Sequence, residues 1–299
     1  MALASSALIA HTTDLDLVIR HVLAGLGQGV HAGRERGSGV EFSEYRAYAP
    51  GDEWRRVDWK LLARADRYYV REAERDSHVA VWLLLDASAS MAEPSRSIPG
   101  LDKLGYARTL LACVAAIAQR QGDAFGLAVL SGGRVQFVPA ARGPRQLQRV
   151  LAKLTQVQAE GELPDAAVLK SGLRFAGSPS LIFAATDFLD WPSPLSEALV
   201  RLRHMRHDVR AACLQTAAEC EGSFDSAPAY RDPERDAAVF RFGADLREGY
   251  LRKRAQHFDG VNAAMRANDV PLVNARIEGA PGEILRQWLR PRGGNGGRR

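Results

Sequence analysis

The pattern of apolar positions changes character at Val79. Beyond it, short unbroken apolar runs alternate with longer segments whose apolar residues recur every three or four positions. The runs are Val79 to Leu85, Phe125 to Leu130, Leu181 to Ala185, Val209 to Leu214 and Leu272 to Ile277. Runs this short, apolar on both faces, predict strands covered on two sides, as in a parallel sheet. Between them lie predicted helices at Lys103 to Arg120, Arg145 to Thr155, Asp165 to Phe175, Leu195 to His204 and Asp245 to Asn268. In the first of these, Leu104, Ala107, Leu110, Leu111, Val114, Ile117 and Ala118 share one face. Gly132-Gly133 reads as a two-residue hairpin turn into an antiparallel edge strand, Val135 to Val138. The regular alternation predicts an α/β fold: a doubly wound, mostly parallel sheet with helices on both faces.

Upstream the pattern is different. A short helical signal, Leu15 to Leu26, leads into a glycine-rich polar stretch, Gly27 to Gly39. Glu41 to Glu74 is dense in aromatics and charges, with a turn at Pro50-Gly51 and no helical period, so it reads as a strand-rich, irregular extension. The organisation expected is an N-terminal helix and extension over residues 1–77, a sheet domain over 78–291, and a flexible tail over 292–299.

Composition narrows the function classes. At 299 residues, 46% hydrophobic and 25% charged, the chain has the balance of a soluble globular protein, which excludes wholesale disorder. No apolar run approaches the ~18 residues that cross a bilayer, so direct membrane insertion is not expected. Met1 to Ala10 lacks the basic start of a signal peptide. Three cysteines with no CxxC pair suit a reducing compartment, and the expected location is cytoplasmic. The net charge of +5 is spread along the chain. Its densest basic stretch, Arg247 to Arg254, is interrupted by Glu248 and reads as a solvated helix face, so no nucleic-acid partner is expected.

The strongest chemical signal is Asp86-Ala87-Ser88-Ala89-Ser90, directly after the first buried strand. Ligands of open α/β sheets bind outside the carboxyl ends of strands, where the strand order reverses. One acid and two hydroxyls at alternating positions are hard oxygen donors, suited to Mg²⁺. Asp187, ending a later strand, adds a second acid. The plainer reading makes these residues helix caps and turn formers; the second acid favours the cation. Gly37 and Gly39 lack the third glycine of a nucleotide loop, and the chain has no P-loop, HExxH or GxSxG. His31, His78, His204 and His207 have no Cys or Ser partner at motif spacing and read as structural or surface residues.

Asp86, Ser88, Ser90 and Asp187 resemble the metal-ion-dependent adhesion site of von Willebrand factor A domains. The resemblance implies that the two serines ligate the cation directly, that the acids complete the shell, and that a partner carboxylate takes the last position. The family's threonine aligns with Leu163, which cannot ligate, and the neighbouring acids Glu162 and Asp165 are the alternative ligands at that place. Upstream, Gly37 to Phe42, Arg46, Tyr48, Pro50-Gly51-Asp52, Arg55 to Trp59 and Ala63-Arg64 resemble the signature of the domain-of-unknown-function 58 family. Those are MoxR-associated bacterial proteins in which such a segment precedes an A-like domain. Within it, Arg46, Asp52, Arg55, Asp58 and Arg64 among Tyr48, Trp54 and Trp59 read as interlocked ion pairs beside an aromatic cluster. The resemblance implies a non-catalytic adaptor that works with a MoxR-type AAA+ ATPase, or with a client offering a carboxylate, in assembly or chaperone-like work. The alternative is a Mg²⁺-dependent phosphatase using Asp86, against which Ser88 stands where a second catalytic acid belongs.

Overall fold

The computed structural model describes residues 14–30, 44–47, 68–72, 80–174, 179–224, 229–230, 240–241 and 246–290. The chain divides into two compact units, residues 30–78 and a larger one of residues 1–29 with 79–299. In the smaller unit, β1 (Glu44–Ala47) pairs antiparallel with β2 (Tyr69–Glu72). The ion pairs expected around Arg46 to Arg64 and the expected tail lie outside the described residues and side chains.

The larger unit is an α/β structure on a six-stranded, mostly parallel sheet. Its strands are β3 (Val81–Asp86), β4 (Phe125–Ser131), β5 (Arg134–Ala141), β6 (Leu181–Thr186), β7 (Asp208–Gln215) and β10 (Leu272–Arg276). Two short strands, β8 (Ala229–Tyr230) and β9 (Phe240–Arg241), pair apart from this sheet. The order across the sheet is β10-β7-β6-β3-β4-β5. β5 alone in it runs antiparallel, folded back on β4 at Gly132 and Gly133, both at positive φ. The strand order reverses between β3 and β6, which therefore form the switch point.

Both faces of the sheet are covered, which is why the strands read as unbroken apolar runs. Leu83 and Leu85 of β3 pack toward α2 (Lys103–Gln121), α3 (Pro144–Gln156) and α8 (Pro281–Trp288), with Val18, Ile19, Val22 and Leu23 of α1 (Leu15–Val30) in the same core. Trp82 and Leu84 face the other way, toward α4 (Ala166–Gly172), α5 (Pro194–His204) and α7 (Arg247–Ala267). The period-2 alternation of a strand divides β3 between the two cores. α2 starts at Asp102, whose carboxylate accepts from Gly105 N at 2.6 Å, and stops at Gly122, φ 77°.

Two helices escaped the sequence reading. α6 (Ala217–Glu221) is a single capped turn. α8 opens on Pro281 at its first turn and sends Leu285 and Trp288 into the core, where Trp288 meets Phe183 edge-to-face at 5.0 Å. Arg210 of β7 fixes its far end by donating to the carbonyls of Trp288 (3.0 Å) and Arg290 (3.1 Å). α4 is shorter than expected, ending at Gly172.

Gly126 of β4 lies against the Trp82 ring. A Cβ there would sit 2.5 Å from a ring carbon and 2.9 Å from the Val138 carbonyl oxygen. Both the buried indole and the backbone of the edge strand would have to shift to admit it. Gly126→Ala is expected to cost about 1–3 kcal/mol in urea unfolding; an unchanged midpoint would contradict this packing.

Candidate functional site

The site is assembled by the register of two neighbouring strands. β3 and β6 are paired in parallel, Leu85 opposite Ala185, so Asp86 and Thr186 emerge together at their carboxyl ends. The chain then turns at Ala87, and a 3₁₀ turn (Ala89–Ala92) holds Ser90 under the same edge.

Asp86 is buried and fully engaged. Its Oδ1 accepts from the Ser88 backbone N–H at 2.9 Å and the Ser88 hydroxyl at 2.7 Å. Its Oδ2 accepts from the Thr186 hydroxyl at 2.6 Å. The Ser88 and Ser90 hydroxyls lie 3.2 Å apart. Burial, joined by the nearby Asp187 charge, pushes the Asp86 carboxyl up to about 7, against hydrogen bonds from Thr186 and Ser88 that pull it down.

Asp187 follows β6 and is also buried. Its Oδ1 accepts from Leu189 N at 3.2 Å, and its Oδ2 from the Lys103 ammonium at 3.0 Å. Lys103, in the first turn of α2, has a side chain with 0% exposure and also reaches Glu219 Oε1 at 2.6 Å. Burial alone would favour the neutral amine. The Asp187 and Glu219 carboxylates outweigh it and raise the pKa above the ordinary lysine value.

Between these groups is a cavity of about 10 Å³, room for one water-sized occupant, lined by Ser88, Ser90, Leu163, Thr186, Asp187 and their neighbours to Ser193. Of the four residues singled out in the sequence, Ser88, Ser90 and Asp187 line it, and Asp86 stands behind it through Ser88 and Thr186. Leu163 occupies the wall where the resemblance would put a threonine. Of the two acids beside it, neither Glu162 nor Asp165 lines the cavity, and Asp165 caps α4 by accepting from Val168 N at 2.8 Å. A threonine does reach Asp86, but from β6. Thr186 and Lys103 are the members of this polar centre that the sequence reading missed.

The rim is held under strain. Phe188, bulky and buried, has φ 53°, a left-handed conformation that such a residue rarely adopts. Its N–H donates to Thr186 Oγ1 at 3.3 Å and its carbonyl lies 2.8 Å from His257 Nε2. Strain of this kind gathers where a fold fixes a site.

The fold and site thus define an α/β protein with a buried polar centre, its acids only partly offset by one lysine, at the switch point of its sheet. The chain belongs to the family described as "Protein of unknown function DUF58", which it matches over residues 44–259. It is 30% identical over 292 residues to uncharacterised proteins of Mycobacterium bovis and Mycobacterium tuberculosis, covering 94% of this chain and 86% of each relative. Similar solved structures include the conserved hypothetical protein BatB from Bacteroides thetaiotaomicron (16% identity, TM-score 0.44, 70% of this chain and 96% of that one). Another is the SpRpn10 VWA domain (12% identity, TM-score 0.41, 70% of this chain and 94% of that one).

Thr186→Val keeps the shape of the side chain and removes the hydroxyl. It leaves Asp86 Oδ2 buried without its partner, so urea unfolding should show a loss of about 1–3 kcal/mol. An unchanged stability would mean that the 2.6 Å contact contributes nothing to holding the centre.

Proposed function

We propose that the larger unit is a von Willebrand factor A-like binding domain, non-catalytic, whose recognition centre is a divalent-cation site at the ends of β3 and β6. The observation that carries this reading is the convergence of Ser88, Ser90 and Asp187 on one cavity, with Asp86 braced behind them. All the donors are oxygens, the chemistry of Mg²⁺. Among the described residues no three His, Cys, Asp or Glu side chains form a ligand cluster, so the two serine hydroxyls are needed to complete the set.

Charge supports the fit. When Asp86, Asp187 and Glu219 are all ionised, Lys103 offsets them only in part, leaving a net of two negative charges at this edge. A divalent ion would balance them. Ser88, Ser90 and Asp187 would hold it, and Asp86 would orient Ser88. When bound, such an ion supplies a positive point to which a partner's carboxylate can coordinate.

The partner we propose is a MoxR-type AAA+ ATPase or a client it handles, on the strength of the signature between Gly37 and Arg64. The adaptor reading is favoured over a phosphatase because both Asp86 oxygens are committed to hydrogen bonds and Ser88 stands at the second acid's place. We place its work in the cytoplasm, consistent with Cys113, Cys213 and Cys220 all being free thiols. Among the described residues no helix is long and apolar enough to cross a membrane.

Mg²⁺ or Mn²⁺ should raise the melting temperature of the wild-type protein and leave that of Ser88→Ala/Ser90→Ala unmoved. Pull-down of the cognate ATPase should be lost with chelator and with Asp86→Ala. Capture indifferent to both would overturn the cation bridge. Turnover of an aryl phosphate that disappears in Asp86→Asn would instead make the protein an enzyme.

A further inference from the structure

Lys103 has no counterpart in an oxygen-donor site, yet its side chain has no solvent exposure. It sits in the first turn of α2, where unpaired backbone N–H groups disfavour a cation. An ammonium persists there only because Asp187 (3.0 Å) and Glu219 (2.6 Å) both hold it. Those two carboxylates face different ways. Asp187 lines the small cavity with Ser88 and Ser90. Glu219 is absent from that lining and instead walls a separate cleft of about 280 Å³ beside Tyr250 and Arg254. It is also fixed in place, its Oε2 accepting from Thr216 N at 2.7 Å and Thr216 Oγ1 at 3.0 Å.

We propose that Lys103 is a resident counter-ion shared between Asp187 and Glu219, which sets how tightly the centre holds a divalent cation, with Glu219 controlling it from outside the ligand set. The inference rests on the cation reading above. An ion beside Asp187 and the ammonium repel each other and compete for the same carboxylate. Glu219 keeps Lys103 anchored while Asp187 turns to the ion. Removing Lys103 raises the negative charge facing the cavity, whereas neutralising Glu219 returns the whole ammonium to Asp187. The two changes act in opposite directions, and the effect of Glu219 runs through the ammonium, so it disappears once Lys103 is gone.

The test is calorimetric titration of Mg²⁺ and Mn²⁺ into the full chain as wild type, Lys103→Met, Glu219→Gln and the double variant, with thermal melts to establish folding. Lys103→Met should tighten binding at least about tenfold, and Glu219→Gln should weaken it at least about threefold although Glu219 is no ligand. The double variant should bind within about threefold of Lys103→Met, tighter than wild type. If Lys103→Met alone fails to fold, the double variant against Glu219→Gln reports the same lysine, and should bind tighter. Merely structural roles would weaken binding in every variant. Wild-type binding that Lys103→Met leaves unchanged or weakens overturns the counter-ion role and leaves the cation site standing. No binding in any of the four proteins removes both.

Discussion

An ammonium with no solvent exposure ties two carboxylates together at the carboxyl end of the sheet, and the surrounding architecture is organised by the need to compensate those charges. Removing ions from water costs several kcal/mol apiece, even after relaxation, unless partners and hydrogen bonds replace the lost hydration. Each acid at this edge meets that demand differently. Asp86 takes three hydrogen bonds from Ser88 and Thr186. Asp187 takes the lysine and a backbone N–H, and Glu219 adds the cap of α6 to its share of the lysine. A further acid, Glu278 after β10, accepts from Ser95 at 2.7 Å and Ala217 N at 3.0 Å, tying the loops after β3, β7 and β10 into one platform.

The sheet makes this possible because parallel neighbours end on the same side. Covered on both faces, β3 and β6 leave no freedom to slide: a one-residue slip would exchange the residues belonging to the two cores. The hydrophobic register therefore fixes where the polar atoms come out. Packing determines the geometry of the site, and the site's own hydrogen bonds then make its burial tolerable.

That division explains what was legible in the sequence. Strands such as Val81–Asp86 and long helices such as Lys103–Gln121 announce themselves by period, because burial on two faces or one stripe dictates residue type at every position. α8 was hidden because Pro281-Gly282 looks like a loop and eight residues give barely two turns of period. Asp86, Ser88, Ser90 and Asp187 stood out as polar residues at strand ends. Thr186 did not, since a threonine finishing a strand is ordinary until its hydroxyl is seen to reach across to β3. Lys103 was less legible still. A lysine opening a helix reads as solvated, and only the tertiary placement of Asp187 and Glu219, 84 residues away in one case, shows it buried. Sequence pattern records what a residue does for its own element, and these two residues act on others.

The electrostatics also bear on how such a centre would recognise anything. The chain as a whole carries a net charge of +5, which would draw any acidic partner toward it at long range. At the centre the balance is reversed when its acids are ionised, since Asp86, Asp187 and Glu219 outnumber the one ammonium. A carboxylate brought against this edge is repelled unless a further positive charge intervenes, so the approach and the final contact are governed by opposite signs. On the proposed reading, the cation is what reconciles them. Long-range attraction then supplies encounter, while specificity depends on whether the small cavity beneath Phe188 is loaded. On that same proposal Lys103 is decisive in the balance, because its removal would make the site more attractive to a cation and less attractive to an unassisted anion.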